Sequence, residues 1–228
     1  MCKIYSKEVN IMKKISAETL RNVFISGANN IANDYKHIDA LNVFPIPDGD
    51  TGTNMMMTIQ NGVKTISGVE TESCGELAST FSRGLLLGAR GNSGVILSQI
   101  FRGFAEGIKD KQELVLVDVA KAFESGTARA YKAVLKPVEG TMLTVIREAS
   151  EAAVEFASKN AKASIVDLFE AMVKKAHESL ENTPNLLAQL KEAGVVDSGG
   201  ALYTCGLCTV CVSFLSKDGT DRFRKAQS

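Results

Sequence analysis

The feature that most constrains the fold of this chain is the helical spacing of its apolar residues, which recurs along nearly the whole sequence. Leu20, Val23, Phe24 and Ala28 follow the i, i+3, i+4 pattern of an amphipathic helix. Strand-like alternation occurs only from Glu113 to Val119, and one isolated strand cannot form a sheet. The pattern therefore predicts an all-α fold built as an up-and-down assembly of helices.

Capping residues and glycines near the ends of the apolar stripes set the predicted helix bounds. The predicted helices are 16–35, 52–66, 75–87, 94–108, 115–134, 141–158, 165–181, 185–193 and 200–216. With 228 residues, 45% of them hydrophobic, the chain can bury the core of one domain. We expect this domain at 16–216, with an N-terminal extension at 1–15 and a C-terminal tail or linker to missing domains at 217–228.

The charge balance and the hydropathy pattern argue against several classes of protein. The 26 basic residues match the 26 acidic residues, so the overall field favours neither nucleic acid nor an acidic membrane surface. No apolar run approaches the roughly 20 residues needed to span a bilayer. The N-terminus lacks the apolar segment of a secretory signal. We therefore expect a cytoplasmic protein without a membrane span that does not bind nucleic acid.

Three cysteines form a C-x2-C-x2-C run that superficially resembles the ligands of an iron–sulfur cluster. Cys205, Cys208 and Cys211 lie in an apolar segment, and at helical spacing they share one face. Because cysteine on such a face acts as a small apolar side chain, the run predicts core packing rather than a cluster.

Four polar, glycine-rich junctions precede alternate long helices when the short 185–193 segment is counted as part of a connection. Their sequences are "PDGDTGTN", "GARGNSG", "KPVEGTM" and "VVDSGG". Alternate helices of an up-and-down assembly begin at the same end. The sequence therefore predicts that the four junctions gather at one end and form a site there.

The first junction carries two carboxylates, Asp48 and Asp50, two residues apart. One interpretation is a plain turn, since Pro, Asp and Gly favour turns. An EF-hand is excluded because Ile59 stands at position 12, where that loop has glutamate. The other interpretation is a magnesium site, because this ion commonly takes one or two carboxylates together with phosphate oxygens. Asn42 could add a neutral oxygen.

The second junction, Gly88 to Val95, lacks the Gly-Lys-Ser/Thr of a Walker A loop. Gly91, Asn92, Ser93 and Gly94 open a helix whose N–H groups and dipole favour phosphate. The alternative is a glycine-rich turn with Ser93 as the N-cap. Thr141, Asp197 and Ser198 are candidate N-caps at the other two junctions.

Taken together, "LNVFPIPDGDTGTNM", "GARGNSGVILSQIFRG", "KPVEGTMLTV" and "VVDSGG" resemble the nucleotide-binding domain of the dihydroxyacetone kinase family. The wording is most similar to the kinase domain of bacterial fatty acid kinase A subunits. The resemblance extends from about Ser16 to about Phe214 and implies an eight-helix barrel that binds ATP or ADP with two magnesium ions at one end. It also implies a partner protein that presents the acceptor, and a homodimer is compatible with it.

The resemblance assigns roles to particular residues. Asp48 and Asp50 match the metal-binding aspartates, and Asn42 is the best match to a further upstream aspartate. Dihydroxyacetone kinases follow the acidic pair with His-Gly, whereas this chain has Thr51 and Gly52, which favours the fatty acid kinase branch. The residues that match the phosphate loop and the nucleotide pocket of the family are Ser93, Gly94, Thr141, Met142, Asp197 and Gly199.

The hypothesis is therefore a kinase domain that transfers the γ-phosphoryl group of Mg-ATP to a fatty acid carboxylate held by a separate fatty-acid-binding protein. We expect the catalytic group to consist of Asp48, Asp50 and Thr51, with Thr53 or Asn54 also orienting the γ-phosphate. Arg83 and Arg90 are candidate charge stabilisers. Three alternatives stay open: a dihydroxyacetone kinase subunit, a nucleotide-sensing module without turnover, and a helical scaffold without a ligand.

Overall fold

A computed structural model describes residues 12–215. The helices are α1 Ala17–Ala40, α2 Thr51–Ile66, α3 Cys74–Gly88, α4 Gly91–Gly107, α5 Leu116–Ala133, α6 Met142–Lys159, α7 Ile165–Leu186, α8 Ala188–Ala193 and α9 Ser198–Leu215. Two short strands, β1 Lys14–Ile15 and β2 Leu114–Val115, pair antiparallel with Ile15 opposite Leu114. The predicted all-α fold is confirmed, and the alternating segment at Glu113 forms only β2 before α5 begins.

The long helices form a closed ring. From α1 to α7 each helix packs on the next along the chain, and α9 packs on both α7 and α1. The short α8 lies in the connection between α7 and α9 and packs on α7. Within residues 12–215 the ring therefore has eight long helices in up-and-down order, as the sequence predicted.

Contacts between chain segments show which helices begin at which end of the ring. β1 precedes α1 and pairs with β2, which precedes α5. The N–H of Ile165 at the start of α7 donates to Met12 O at 2.9 Å, and the N–H of Cys74 at the start of α3 donates to Gln112 O at 3.1 Å. Helices α1, α3, α5 and α7 thus begin at one end, so α2, α4, α6 and α9 begin at the other. We call this second end the site end.

Aromatic rings fill much of the interior. Phe24 stacks on Phe81 with ring centroids 4.2 Å apart, and Phe101 meets Phe81 edge to face at 5.1 Å. Phe24 and Phe101 line an apolar cavity of about 100 Å³, together with Leu97 and Phe169. Aromatic pairs of this geometry add to the free energy gained by apolar burial. In the part of the chain that the structure describes, no helix is both long and apolar enough to cross a bilayer.

The cysteine run lies on α9, as predicted, but only part of it belongs to the core. Cys211 is buried, whereas Cys205 and Cys208 are partly exposed. The prediction of core packing is therefore correct for one of these thiols only. Among residues 12–215, no three cysteine, histidine or acidic side chains converge in a way that could hold a metal ion.

A capping box begins α7 and yields a stability prediction. Ser164 Oγ accepts from Asp167 N at 3.1 Å, and Asp167 Oδ2 accepts from Ser164 N at 2.8 Å. We expect Ser164→Ala to lower the free energy of unfolding by about 1 kcal/mol, because the first turn loses its cap. Urea denaturation measures the change. Ser158→Ala, at an exposed serine that caps no helix start, serves as the control; an equal loss in both variants would contradict the prediction.

Candidate functional site

The segment from 42 to 50, which we call the acidic loop, joins α1 to α2 at the site end. Asn42 holds it in shape: the side chain is only 6% exposed, and its Oδ1 accepts from the N–H groups of Asp50 and Thr51, both at 3.2 Å. Its Nδ2 donates to Ile46 O at 3.0 Å. The amide that the sequence assigned to a metal is therefore engaged with the backbone, where it shapes the loop and covers the start of α2.

Asp39 is a site residue that the sequence analysis missed. Its Oδ1 accepts from Thr53 N at 2.9 Å and its Oδ2 from Thr53 Oγ1 at 2.7 Å. The helix was predicted to end at 35, so Asp39 was not placed on α1, which continues to Ala40. The signal for its role was its position just before the acidic loop. Asp39 and Asn42 together satisfy amides in the first turn of α2.

Asp48 and Asp50 have no such engagement. Asp48 is exposed and Asp50 is partly exposed, and Gly49 between them has φ of 66°. Asp50 occupies the N-cap position of α2 without accepting a hydrogen bond there. Within the described residues, neither carboxylate has an ion pair or a hydrogen bond. Two adjacent anionic groups without protein partners fit a divalent cation, which takes oxygen ligands of this kind.

The start of α4 lies directly against the start of α2. A Cβ atom on Gly91, whose φ is 58°, would lie 2.4 Å from Asn54 Nδ2, and one on Gly94 would lie 2.4 Å from Thr58 Oγ1. The N–H of Arg90 donates to Thr58 Oγ1 at 3.3 Å. Glycine is therefore required for the close approach, and the acidic loop and the glycine-rich turn form one continuous surface.

The α4 helix begins without a side-chain cap. Its N-cap residue is Arg90, not Ser93, so the alternative prediction of a turn with Ser93 as the N-cap is wrong. At α2, α6 and α9, side chains accept from amides of the first turn, through Asn42 at α2, Thr141 at α6 and Asp197 at α9. Among the site-end helices, in the described part of the chain, α4 alone lacks this arrangement. Free first-turn amides at a positive dipole end favour an anion.

Asp197 joins the other two helix starts. It is 6% exposed, and its Oδ2 accepts from Gly200 N at 2.7 Å, while the backbone of Met142 and Gly199 also donates to the carboxylate. Burial raises the pKa of Asp197 to about 6, although these amides oppose the shift. A Cβ on Gly199 would lie 3.1 Å from Met142 Cβ, so α6 and α9 approach closely here. Thr141 caps α6 by accepting from Leu143 N at 3.3 Å.

The structure thus collects the candidate residues at one end in two groups. The first group comprises Asn42, Asp48, Asp50, Thr51, Thr53, Asn54, Gly91, Asn92, Ser93 and Gly94, and the second comprises Thr141, Met142, Asp197 and Gly199. Arg90 and Arg83 are exposed near the end of α3 and the start of α4. The prediction that the four junctions share one end is confirmed; the individual ligand roles stay predictions.

Comparison with known sequences identifies a matching family model and relatives of this chain. The family model described as the DAK2 domain matches residues 45–211. Uncharacterized proteins of Staphylococcus aureus strains bovine RF122 / ET3-1 and USA300 are 51% identical over 195 residues, which is 86% of this chain and 35% of each relative. The chain therefore spans about a third of the length of these curated relatives.

Solved structures show the same fold. The dihydroxyacetone kinase from C. freundii in complex with AMP-PNP and Mg²⁺ aligns with a TM-score of 0.67 at 16% identity, covering 93% of this chain and 37% of that one. Its native form aligns with a TM-score of 0.61 at 18% identity, covering 93% and 38%. At these identities the likeness establishes the helical fold. The matched family model covers well over half of the chain, which therefore belongs to the DAK2 domain family.

Proposed function

We propose that this chain is a nucleotide-binding kinase domain that holds Mg-ATP at the site end. The observation that carries the proposal is the position of two carboxylates without protein partners, Asp48 and Asp50, on the surface that also contains the uncapped start of α4. A bound magnesium ion neutralises phosphate charge, and the free amides of α4 stabilise phosphate oxygens. Membership of the DAK2 domain family supports the same reading.

Each group of site residues has a distinct part in the proposal. Asp48 and Asp50 hold the metal, and the turn at 91–94 binds the phosphates. Asn54 lies against Gly91 and so connects the two. Thr51 and Thr53 have their N–H groups held by Asn42 and Asp39, so they are fixed close to the place where the γ-phosphate would lie. Phosphoryl transfer depends mainly on such positioning.

The second group of residues shapes the rest of the nucleotide pocket. Thr141 and Met142 lie at the start of α6, and Gly199 lies at the start of α9. The Asp197 carboxylate links these two helix starts. Because the Asp197 carboxylate is turned toward backbone amides, we assign it to holding these starts rather than to direct contact with the nucleotide. This arrangement keeps α6 and α9 in a fixed relation while a ligand enters and leaves.

The proposed acceptor is the carboxylate of a fatty acid, presented by a separate fatty-acid-binding protein. A carboxylate is already an anion near neutral pH, so its attack on the γ-phosphate requires no strong general base. Thr51 stands where dihydroxyacetone kinases have histidine, which supports this acceptor. A second candidate, a dihydroxyacetone kinase subunit, is supported by the fold shared with the C. freundii enzyme.

Titration with AMP-PNP tests nucleotide binding. We expect magnesium-dependent binding by the wild-type chain and about tenfold weaker binding by Gly91→Ala, since the new methyl group displaces Asn54 and strains the turn. Gly194→Ala is the matched control: Gly194 also has positive φ, of 67°, but has no atom within 4 Å of its Cβ position and lies outside both groups. Equal losses in the two variants, or no binding by the wild type, would overturn the proposal.

The acceptor is tested with the full-length protein and a fatty-acid-loaded binding protein. Hydroxylamine converts an acyl phosphate to a hydroxamate, so the product can be trapped and identified by mass spectrometry. We expect acyl hydroxamate with the loaded partner and no phosphorylation of dihydroxyacetone. Phosphorylated dihydroxyacetone would favour the second candidate. Nucleotide binding without transfer to either acceptor would indicate a sensing module.

A further inference from the structure

The cysteine run on α9 lies in the wall of the barrel, away from the proposed nucleotide site. Cys208 Sγ is 3.4 Å from His177 Nε2, which projects from the neighbouring helix α7. Cys208 is partly exposed and His177 is exposed, so solvent reaches the pair. Ten residues separate Ser198, the first residue of α9, from Cys208, which corresponds to about 15 Å along the helix.

The other described cysteines have different surroundings. Cys74 and Cys211 are buried, and burial raises the pKa of each thiol to about 11. Cys205 accepts a hydrogen bond from Asn30 Nδ2 at 2.9 Å, and burial raises its pKa as well. Thiols that stay protonated react slowly, because the thiolate is the nucleophile. Among the cysteines of residues 12–215, Cys208 has an imidazole nitrogen within hydrogen-bond distance.

We propose that Cys208 and His177 form a thiol–imidazole pair that makes Cys208 a modification site for hydroperoxides and soft electrophiles. The geometry carries the proposal: an imidazole nitrogen lies within hydrogen-bond distance of the thiol, and both side chains are open to solvent. The same pairing of a thiol with a base activates cysteine nucleophiles in enzymes. The pair lies outside both groups of candidate nucleotide-site residues, so this proposal can be tested separately from the proposed function.

The chemistry of the pair is balanced without a further reactant. The Cys208 proton moves to His177 Nε2, and the thiolate sulfur attacks one oxygen of the hydroperoxide. The S–O bond forms as the O–O bond breaks, and the leaving oxygen takes the proton from the imidazolium. The sulfur is oxidised by two electrons to a sulfenic acid, and the peroxide is reduced to water or an alcohol. With an alkyl halide, an S–C bond forms and halide leaves.

The test is competitive labelling of the whole chain with iodoacetamide near neutral pH, followed by fragmentation mass spectrometry that assigns the label to each cysteine. We expect Cys208 to react about tenfold faster than Cys205, because in the proposed pair His177 Nε2 accepts the Cys208 proton. His177→Gln should lower the Cys208 rate severalfold and leave the other cysteines unchanged. The matched control is His37→Gln, which replaces the other histidine of the chain, exposed on α1.

Two labelling results would overturn the proposal. One is a wild-type labelling order in which Cys208 reacts no faster than Cys205. This measurement uses the wild-type chain alone, so it does not depend on the folding of His177→Gln. The other is an unchanged Cys208 rate in a folded His177→Gln chain. When the chain is treated with hydrogen peroxide and a 1,3-dione that traps sulfenic acid, the amount of trapped adduct at each cysteine should follow the same order. An adduct confined to other cysteines would contradict the inference.

Discussion

Magnesium-dependent nucleotide binding should fall by about 100-fold in Asp48→Asn and in Asp50→Asn, since even outer partners of a metal site contribute about 10- to 100-fold to affinity. Each substitution keeps the shape of the side chain and removes its negative charge. Neither carboxylate has a protein partner among the described residues, so the substitution leaves no group without its bond. Asparagine is as good an N-cap as aspartate, so the Asp50 variant should keep α2 intact.

Calorimetric titration with AMP-PNP, with and without magnesium, measures the effect. The matched control is Asp110→Asn, at an exposed carboxylate between α4 and β2 at the opposite end of the barrel. We expect the control to bind like the wild type, and all three variants to keep the wild-type helical circular dichroism. Residual binding without magnesium should be the same in every chain. Wild-type affinity in both acidic-loop variants would mean that the acidic loop is only a turn.

The helical part of this molecule was predictable because it depends on local spacing. Apolar side chains at i, i+3 and i+4 identified the faces that pack inward, and Ser16, where the first helix was predicted to begin, caps α1. The order of the helices then placed four junctions at one end, since an up-and-down ring leaves no other arrangement. These inferences needed no knowledge of contacts between distant residues.

The roles of Asn42 and Asp39 were not predictable from spacing. Asn42 was assigned to a metal because its amide oxygen is a suitable ligand, but in the folded chain that oxygen accepts from Asp50 and Thr51. Asp39 pairs with Thr53 across the loop. In both cases the partner is decided by how α1 and α2 meet, where a Cβ on Gly52 would lie 2.1 Å from Tyr35 O. Sequence spacing carries no information on that approach.

The start of α4 differs from the predicted helix start, and the difference changes which groups are free to bind a ligand. The sequence placed the helix at 94–108 and left Ser93 as a possible cap, whereas α4 begins at Gly91 after Arg90. Gly91 has positive φ, which turns the chain sharply into the helix. Among the described residues no side chain makes a capping hydrogen bond at this start, so the first turn is left open to an anion. The earlier start of α4 therefore supports the proposed phosphate site.

Asp197 gives the largest expected effect on stability, and the effect depends on pH. Folding raises its pKa from 3.8 to about 6, mainly through burial. The folded chain therefore keeps a proton between these values that the unfolded chain has lost. Stability should fall as pH rises through this window, by about 3 kcal/mol in total from two pKa units at about 1.4 kcal/mol each, and should show no further change from Asp197 above it.

Asp197→Asn removes this titration and keeps an oxygen that can accept from Gly200 N. Urea denaturation of both chains between pH 4 and 7 gives the difference in their free energies of unfolding, in which the other titrating groups cancel. We expect the wild type to lose up to about 3 kcal/mol relative to the variant across this range. A difference that stays constant with pH would show that the Asp197 carboxylate is charged throughout, with its amide donors outweighing burial. In that case the starts of α6 and α9 would be joined by a permanent anion, and acid rather than base would loosen this part of the site end.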